Sequence, residues 1–335
     1  MMKNSRILTP KSRKLINFFS LGILICISLG ILVSCFEQPT KPLLIGINSW
    51  PGFAPLSLAE QLGYYENTSI DIVDYPSTTE VSNALRSGNL QGGGMTIDET
   101  LMLAETFPAV RVILLTDLSN GADVIIGQPE LNTLADIKGK KVGVENTALG
   151  AYMLSRGLDK AGLSLQDITV VSLAYPEHES AFQENEVDAL VTFEPALSQL
   201  MARGANILFD SSQILGEVVD MLVVRQDTLE TQSKELEQLI KGWFMALDYL
   251  KKEPENATKL MAKRDGVDAN KFLSSLKLVK FLTSTENKNL LSQTDPVLVN
   301  SAQKISKLMQ EKQLLQSNID FSSLLDARFF TQLNP

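Results

Sequence analysis

Cysteine is nearly absent from the chain, with two in 335 residues. Cys26 lies inside an apolar N-terminal run and Cys35 just after it, and no cysteine follows. Disulfides are therefore excluded, and the remainder must hold together by burial. About three hundred residues suffice for large cores, more naturally two than one. Histidine is scarcer still, since His178 is the only one. A Ser-His-Asp arrangement has few options left once retained thiols are gone, and a zinc site needs clustered His or Cys ligands, so neither catalysis nor a metal or other cofactor is expected. In Tyr175-Pro176-Glu177-His178-Glu179-Ser180 the histidine reads as a surface-loop or helix-start residue. Clustered cations are also missing, which argues against a nucleic-acid partner because phosphate binding needs them. No fixed-period repeat is evident, and Gly92-Gly93-Gly94 lacks the Gly-Lys-Ser/Thr of a phosphate loop, so it reads as close strand packing or backbone approach to a solute.

What is present begins with a leader. Lys3, Arg6, Lys11, Arg13 and Lys14 precede an apolar run over 15–33 that ends in Leu32-Val33-Ser34-Cys35. Basic residues hold one end of such a segment on the cytoplasmic side while the apolar run enters the bilayer. The tetrapeptide resembles a bacterial lipoprotein cleavage box, which implies removal of residues 1–34 and attachment of lipid to Cys35. The alternative is an uncleaved single anchor, because the run is close to spanning length. Both readings place the soluble part outside the cytoplasm. Loss of the five basic leader residues takes the formal charge from -9 to -14.

Residues 35–42, with Pro39 and Pro42, read as an extended tether. From Leu43 onward strand and helix alternate. Strands are expected at 43–47, 70–73, 92–96 and 110–115, with helices at 55–62, 78–86 (capped by Ser77 and ended by Gly88) and 98–106 between them. A second alternating unit follows Ala122-Asp123-Val124-Ile125-Ile126-Gly127. Its strands are expected at 141–144, 168–171, 189–192 and 207–209, and its helices at 148–161, 179–185 and 195–202, before a returning strand at 221–224. This alternation favours the α/β class, with mostly parallel strands covered by helices and ligands at the strand carboxyl ends. After Thr228 the chain becomes almost wholly helical. Leu236, Leu239, Ile240, Trp243, Phe244 and Leu247 form one stripe that reads as core, and further helices are expected from Pro254, over 297–315 and over 321–333.

The order of motifs resembles the substrate-binding proteins of bacterial ABC importers, in the nitrate, sulfonate and taurine group that also contains thiamine-pyrimidine-precursor binders. The resemblance rests on Ile45-Gly46-Ile47 with Trp50-Pro51-Gly52, on Leu58-Ala59-Glu60-Gln61-Leu62-Gly63-Tyr64-Tyr65, and on Ser119-Asn120-Gly121-Ala122-Asp123. Ile137-Lys138-Gly139-Lys140-Lys141-Val142-Gly143-Val144 and Val187-Asp188-Ala189 before Phe193-Glu194-Pro195 complete it. It implies a periplasmic-binding-protein type II fold of two lobes, joined by two crossing strands matched to 124–126 and 222–224. Lobe one would be residues 43–124 plus 224–335, and lobe two residues 125–223. It further implies a lipid-held, extracytoplasmic monomer that captures a small solute in the cleft by hinge closure and presents it to membrane permease and ATPase subunits. The rival readings are a pyrimidine-synthase-like enzyme of the same fold, whose cysteine-rich motif is missing here, and a sensor that presents its closed form to a signalling receptor.

Loops after strands are the candidate cleft residues. Ser49, Trp50 and Phe53 sit beside Pro51-Gly52, where a ring either stacks on a planar group or plugs its own lobe. Thr96 and Asn146-Thr147 precede helices whose free N–H groups suit an oxygen, and Thr147 serves equally as an N-cap. Asp98, Asn120, Asp123, Phe193 and Glu194 complete the set. Acids dominate these loops, and no lysine or arginine occurs in 48–53, 96–99, 119–123 or 145–150, which favours a nitrogen-bearing or zwitterionic solute over a simple anion.

Overall fold

The computed structural model describes residues 41–66, 68–145 and 147–331. The leader, Cys35, most of the tether and Asn146 lie outside the described residues. Eleven strands are found among the described residues. They are β1 Leu43–Ile47, β2 Ile70–Asp74, β3 Gly92–Thr96, β4 Val110–Ser119, β5 Asp123–Gly127, β6 Lys141–Glu145, β7 Thr169–Leu173, β8 Ala189–Phe193, β9 Asn206–Asp210, β10 Val219–Arg225 and β11 Val279–Phe281.

They form a six-stranded sheet in the order β11-β4-β10-β3-β1-β2 and a five-stranded sheet in the order β7-β6-β8-β5-β9. Every strand of the second sheet comes from one continuous stretch of chain, whereas the first is built from the flanks on either side of it. The chain passes from one sheet to the other across residues 120–122 and returns across 211–218. The two strands read as crossings, β5 and β10, each pair within a single sheet.

Pairing is more evenly mixed than alternation alone suggests. β1 runs parallel to β2 and β3, and β6 parallel to β7 and β8, but β10 and β5 are antiparallel to both of their neighbours. The reason is topological. These two strands each follow directly on a passage between the sheets, so they enter from the end at which the parallel strands leave. Their amino-terminal residues therefore lie beside the carboxyl ends of the strands they join.

Local chemistry fixes the elements. The helix Thr78–Ser87 is capped by Ser77, which accepts from Glu80 N, and closes on Gly88 in the left-handed region. Thr147 caps the helix Ala148–Ala161 by accepting from Gly150 N. All five residues of β5 are buried, because helices cover both faces of its sheet and leave no solvent side for an alternating pattern. Ile125 packs in the main core while Val124 and Ile126 pack with Leu190, Leu197 and Leu200 in a second cluster.

The stripe after Thr228 is core, with Leu236, Leu239, Ile240 and Trp243 buried along the helix Ser233–Lys252. The helical tail is tied to the first sheet through Asn287, whose amide accepts from Leu115 N at 2.7 Å and donates to Leu115 O at 2.9 Å. The helix expected over 321–333 is not continuous. A short turn Phe321–Leu324 is followed by Arg328–Thr331, and the break contains Asp326, which accepts from Arg328 N at 3.0 Å and so caps the second piece.

Candidate functional site

A cleft opens where the carboxyl ends of β1, β3, β6 and β8 converge with the amino ends of β5 and β10. It encloses about 560 Å3 of non-atom space, including the part open to solvent. From the first sheet and its loops come Asn48, Trp50, Phe53, Thr96, Glu99 and Asp220. From the second come Asp123, Glu145, Thr147, His178 and Phe193, with Leu149, Met153 and Val191 between them.

The register of the first sheet explains the acidic floor. Thr96 on β3 stands opposite Asp220 on β10, and Asp220 stands opposite Asp117 on β4. These side chains therefore form one row across three strands, at the sheet end that faces the cleft. A shift in register between Asp220 and Met221 interrupts the ladder at that row, the kind of irregularity that re-aims a side chain near a site. Glu99 joins the row by accepting from Thr96 N at 3.0 Å, and Asp123 opens the antiparallel β5 opposite Phe193.

The Trp50-Pro51-Gly52-Phe53 loop is seated on this row. The Trp50 indole N–H donates to Asp117 Oδ1 at 3.2 Å. Gly52 makes the contact possible, since a Cβ there would lie 2.1 Å from Asp117 Oδ2 and 2.2 Å from Trp50 Nε1. Gly94 does the same for Phe53, whose ring atoms would meet a Cβ at 2.7 Å. Of the two sequence readings of Gly92-Gly93-Gly94, close packing is the one these contacts show. On the other side Phe193 stacks on Tyr175 with centroids 4.5 Å apart, and Trp50 meets Phe193 edge to face at 6.3 Å. Trp50 is thus packed in its own half and also lines the cleft, so its two readings are both realised in part.

Electrostatically the site is one-sided. Burial pushes the Asp123 and Glu145 carboxyls up to about 7, and burial together with the neighbouring Asp98 charge pushes Glu99 up to about 8. Asp220 is raised well above the ordinary value by burial, then by the charges of Asp117, Asp123 and Glu99. Asp117 rises to about 7 by burial, offset by its hydrogen bonds, including those with Trp50 and Asp220. Two buried acids facing each other across adjacent strands disfavour ionisation of both at once. Among the described residues no lysine or arginine lines the cleft. Arg156, on the helix bordering it, is bonded to Glu217 through Nε at 2.7 Å and Nη2 at 3.1 Å.

The expected site residues divide into three groups. Trp50, Phe53, Thr96, Asp123, Thr147 and Phe193 are brought together in the cleft. Asp98 is buried behind the lining at the start of the helix Ile97–Thr106, and its carboxyl rises to about 6 through burial. Ser49 is half-buried beside Tyr175. Asn120 is exposed, and Glu194 turns to the start of the next helix, where it accepts from Ser198 Oγ at 2.7 Å. Asn146 is outside the described residues.

His178 corrects the reading of a surface histidine. It does start the helix His178–Gln183, but it is fully buried and lines the cleft. Its Nδ1 pairs with Thr192 Oγ1 at 3.0 Å, Nε2 has no partner, and burial holds its pKa down at about 4. The physical cause is the turn Tyr175–Glu177, which folds the residue inward under Tyr175. Asp117 was not expected at all, because it lies within β4 rather than in a loop. Only its register opposite Asp220 brings it to the site, and no local sequence signal marks that.

Residues 37–264 match the NMT1-like family. A Brucella abortus protein provisionally named a binding protein is 27% identical over 169 residues, covering 49% of this chain and 53% of its own. The chain thus spans about half the length of that curated relative. A provisionally named aliphatic sulfonates-binding protein of Escherichia coli is 23% identical over 76% of this chain and 81% of its own. The fold is that of the alkanesulfonate-binding protein SsuA from Xanthomonas axonopodis pv. citri bound to MOPS, with a TM-score of 0.71 and 21% identity over 87% of this chain and 99% of that one. The desulfurization enzyme DSZB shares the fold with a TM-score of 0.62 and 15% identity over 87% of this chain and 98% of that one.

Proposed function

The chain belongs to the NMT1-like family, and from that premise we propose that it is the solute-binding component of an ABC import system, working outside the cytoplasm and held by lipid on Cys35. The observation that supports this most is the cleft itself, lined from both sheets at their carboxyl ends and walled by rings and carboxyls. Such a concave, mostly preformed site suits a small organic solute, nitrogen-bearing or sulfonate-type. Residues 43–119 with 219–331 act as one lobe and 123–210 as the other, since β5 and β10 each pair within a single sheet. Solute settles on the first lobe, against Trp50, Phe53 and Thr96, and rotation at 120–122 and 211–218 brings Thr147, His178 and Phe193 over it. Only a difference in solute affinity between open and closed forms can drive that rotation. A permease with its ATPase then selects the closed monomer.

Native mass spectrometry of the freshly purified full chain should reveal a co-purified small molecule. Small-angle scattering should show compaction when that molecule is restored, and an unchanged radius of gyration with solute bound would remove the hinge. Palmitate labelling that survives Cys35→Ser would remove the lipid attachment.

An enzymatic reading has two observations in its favour, the buried His178 with an unpartnered Nε2 in the cleft and a fold shared with a desulfurization enzyme. Against it, the only hydroxyl that pairs with the ring among the described residues is Thr192, on Nδ1, and none is bonded to Nε2. Chemical turnover of the captured solute would establish it over binding.

A further inference from the structure

We propose that the cleft selects a small organic cation, a protonated amine or amidine carried on an apolar or planar body, and rejects sulfonates. The inference rests on the solute-binding reading above and narrows it. Glu99, Asp123, Glu145 and Asp220 all line the cleft, and among the described residues no lysine or arginine does. A sulfonate placed there would find no cation among the described lining residues and would oppose ionisation of the four carboxyls, whereas a cation would favour it and gain a charge-assisted partner in a poorly solvated space.

Buried polar groups left open at the lining ask for a hydrogen-bonding occupant. His178, fully buried, presents Nε2 without a partner, and Asp123, 2% exposed, presents Oδ2 without one. In the tautomer whose Nδ1 donates to Thr192 Oγ1, His178 Nε2 is an acceptor, and Asp123 ionised beside a bound cation offers a second, which together suit the N–H donors of an ammonium or amidinium group. The rings add to this, since Trp50 and Phe193 approach the same space and a cation is attracted to an aromatic face. Leu149, Met153 and Val191 supply the apolar side that a solute body would cover.

An inorganic cation fits less well. Among the described residues no group of three or more His, Cys, Asp or Glu is arranged to hold a metal ion. The carboxyls are spread around the cleft on four different elements rather than converging on one point, a layout that suits a molecule with length.

The test is calorimetry on the full chain in detergent, stripped of bound solute by unfolding and refolding. Benzamidinium, phenethylammonium and 4-aminopyridinium are titrated against methanesulfonate, butanesulfonate and zinc chloride. At least one organic cation should bind, the sulfonates and zinc should not, and Asp123→Asn and Asp220→Asn should each weaken the cation by about tenfold or more. Thermal melts of both variants confirm that they are folded. Sulfonate or zinc binding tighter than every cation overturns the cation assignment yet leaves a solute-binding protein. Cation binding that ignores both substitutions overturns the assigned site. No binding from either series, with no co-purified small molecule, sinks the solute-binding reading itself.

Discussion

The carboxyls of the cleft and those of the outer surface are driven in opposite directions. At the surface, Asp136 and Glu286 accept backbone N–H groups at the starts of short helices, and their pKa values fall below the ordinary range for that reason. In the cleft, Asp123, Glu145, Glu99 and Asp220 rise because burial removes water and no cation replaces it. Surface acids are placed where they stabilise the fold. Cleft acids are placed where they cost stability, and such a cost persists where the group serves a ligand.

The sharpest way to break the contrast is to disturb the support of the acidic row. Gly52→Ala would drive a methyl into Asp117 and the Trp50 indole, and we expect a loss of about 2 kcal/mol in denaturant unfolding. The tryptophan signal should shift as well, because Trp50 is one of only two tryptophans. A wild-type melt with unchanged fluorescence would mean that the loop yields freely.

Next in size is Asp220→Asn. An amide at this position donates to Asp117 without holding a proton between two acids, so the solute-free protein should gain about 1–2 kcal/mol at pH 8 while solute binding weakens. Destabilisation would show that the acid pair supports the fold instead of straining it.

The pH dependence follows from the same groups. In the unfolded chain carboxyls ionise near about 4, whereas in the folded chain Asp123 and Glu145 hold their protons to about 7 and Glu99 to about 8. The folded state binds more protons across that interval, so stability falls as pH rises through it. His178, held down at about 4, acts oppositely but only below its unfolded value of about 6.5. Melting temperature of the solute-free protein should therefore drop by a few degrees between about pH 6.5 and 8.5, and a bound cation should flatten the slope. A rising melting temperature over that interval contradicts the assignment.

Smallest is a surface control. Thr283 accepts from Glu286 N at 3.2 Å and Glu286 accepts from Thr283 N at 2.8 Å. Thr283→Ala should cost about 1 kcal/mol with solute affinity unchanged, as expected for an exposed cap. A change in affinity would mean that surface and cleft are coupled.

Legibility in the sequence followed the range of the interactions involved. Ser77, Gly88 and Thr147 were readable because a cap acts within three or four residues. Trp50, Phe53, Thr96, Asp123 and Phe193 were readable because strand ends follow from alternation. Glu194 read the same way but turned to Ser198, a choice between two nearby partners that alternation does not make. His178 was misjudged because burial of a loop residue depends on what packs over it.

By itself, the sequence determined the α/β alternation, the positions of most helices and strands, and a stock of acids without cations in the loops at strand ends. Those depend on local periodicity and on residue type. Only the tertiary structure decided that Asp117, Asp220 and Thr96 share one row, that the strands after each passage run antiparallel, and that His178 faces inward. The row and the antiparallel strands follow from register between segments far apart in the chain, and the place of His178 from what packs over its turn; neither is set by a neighbouring residue's type alone.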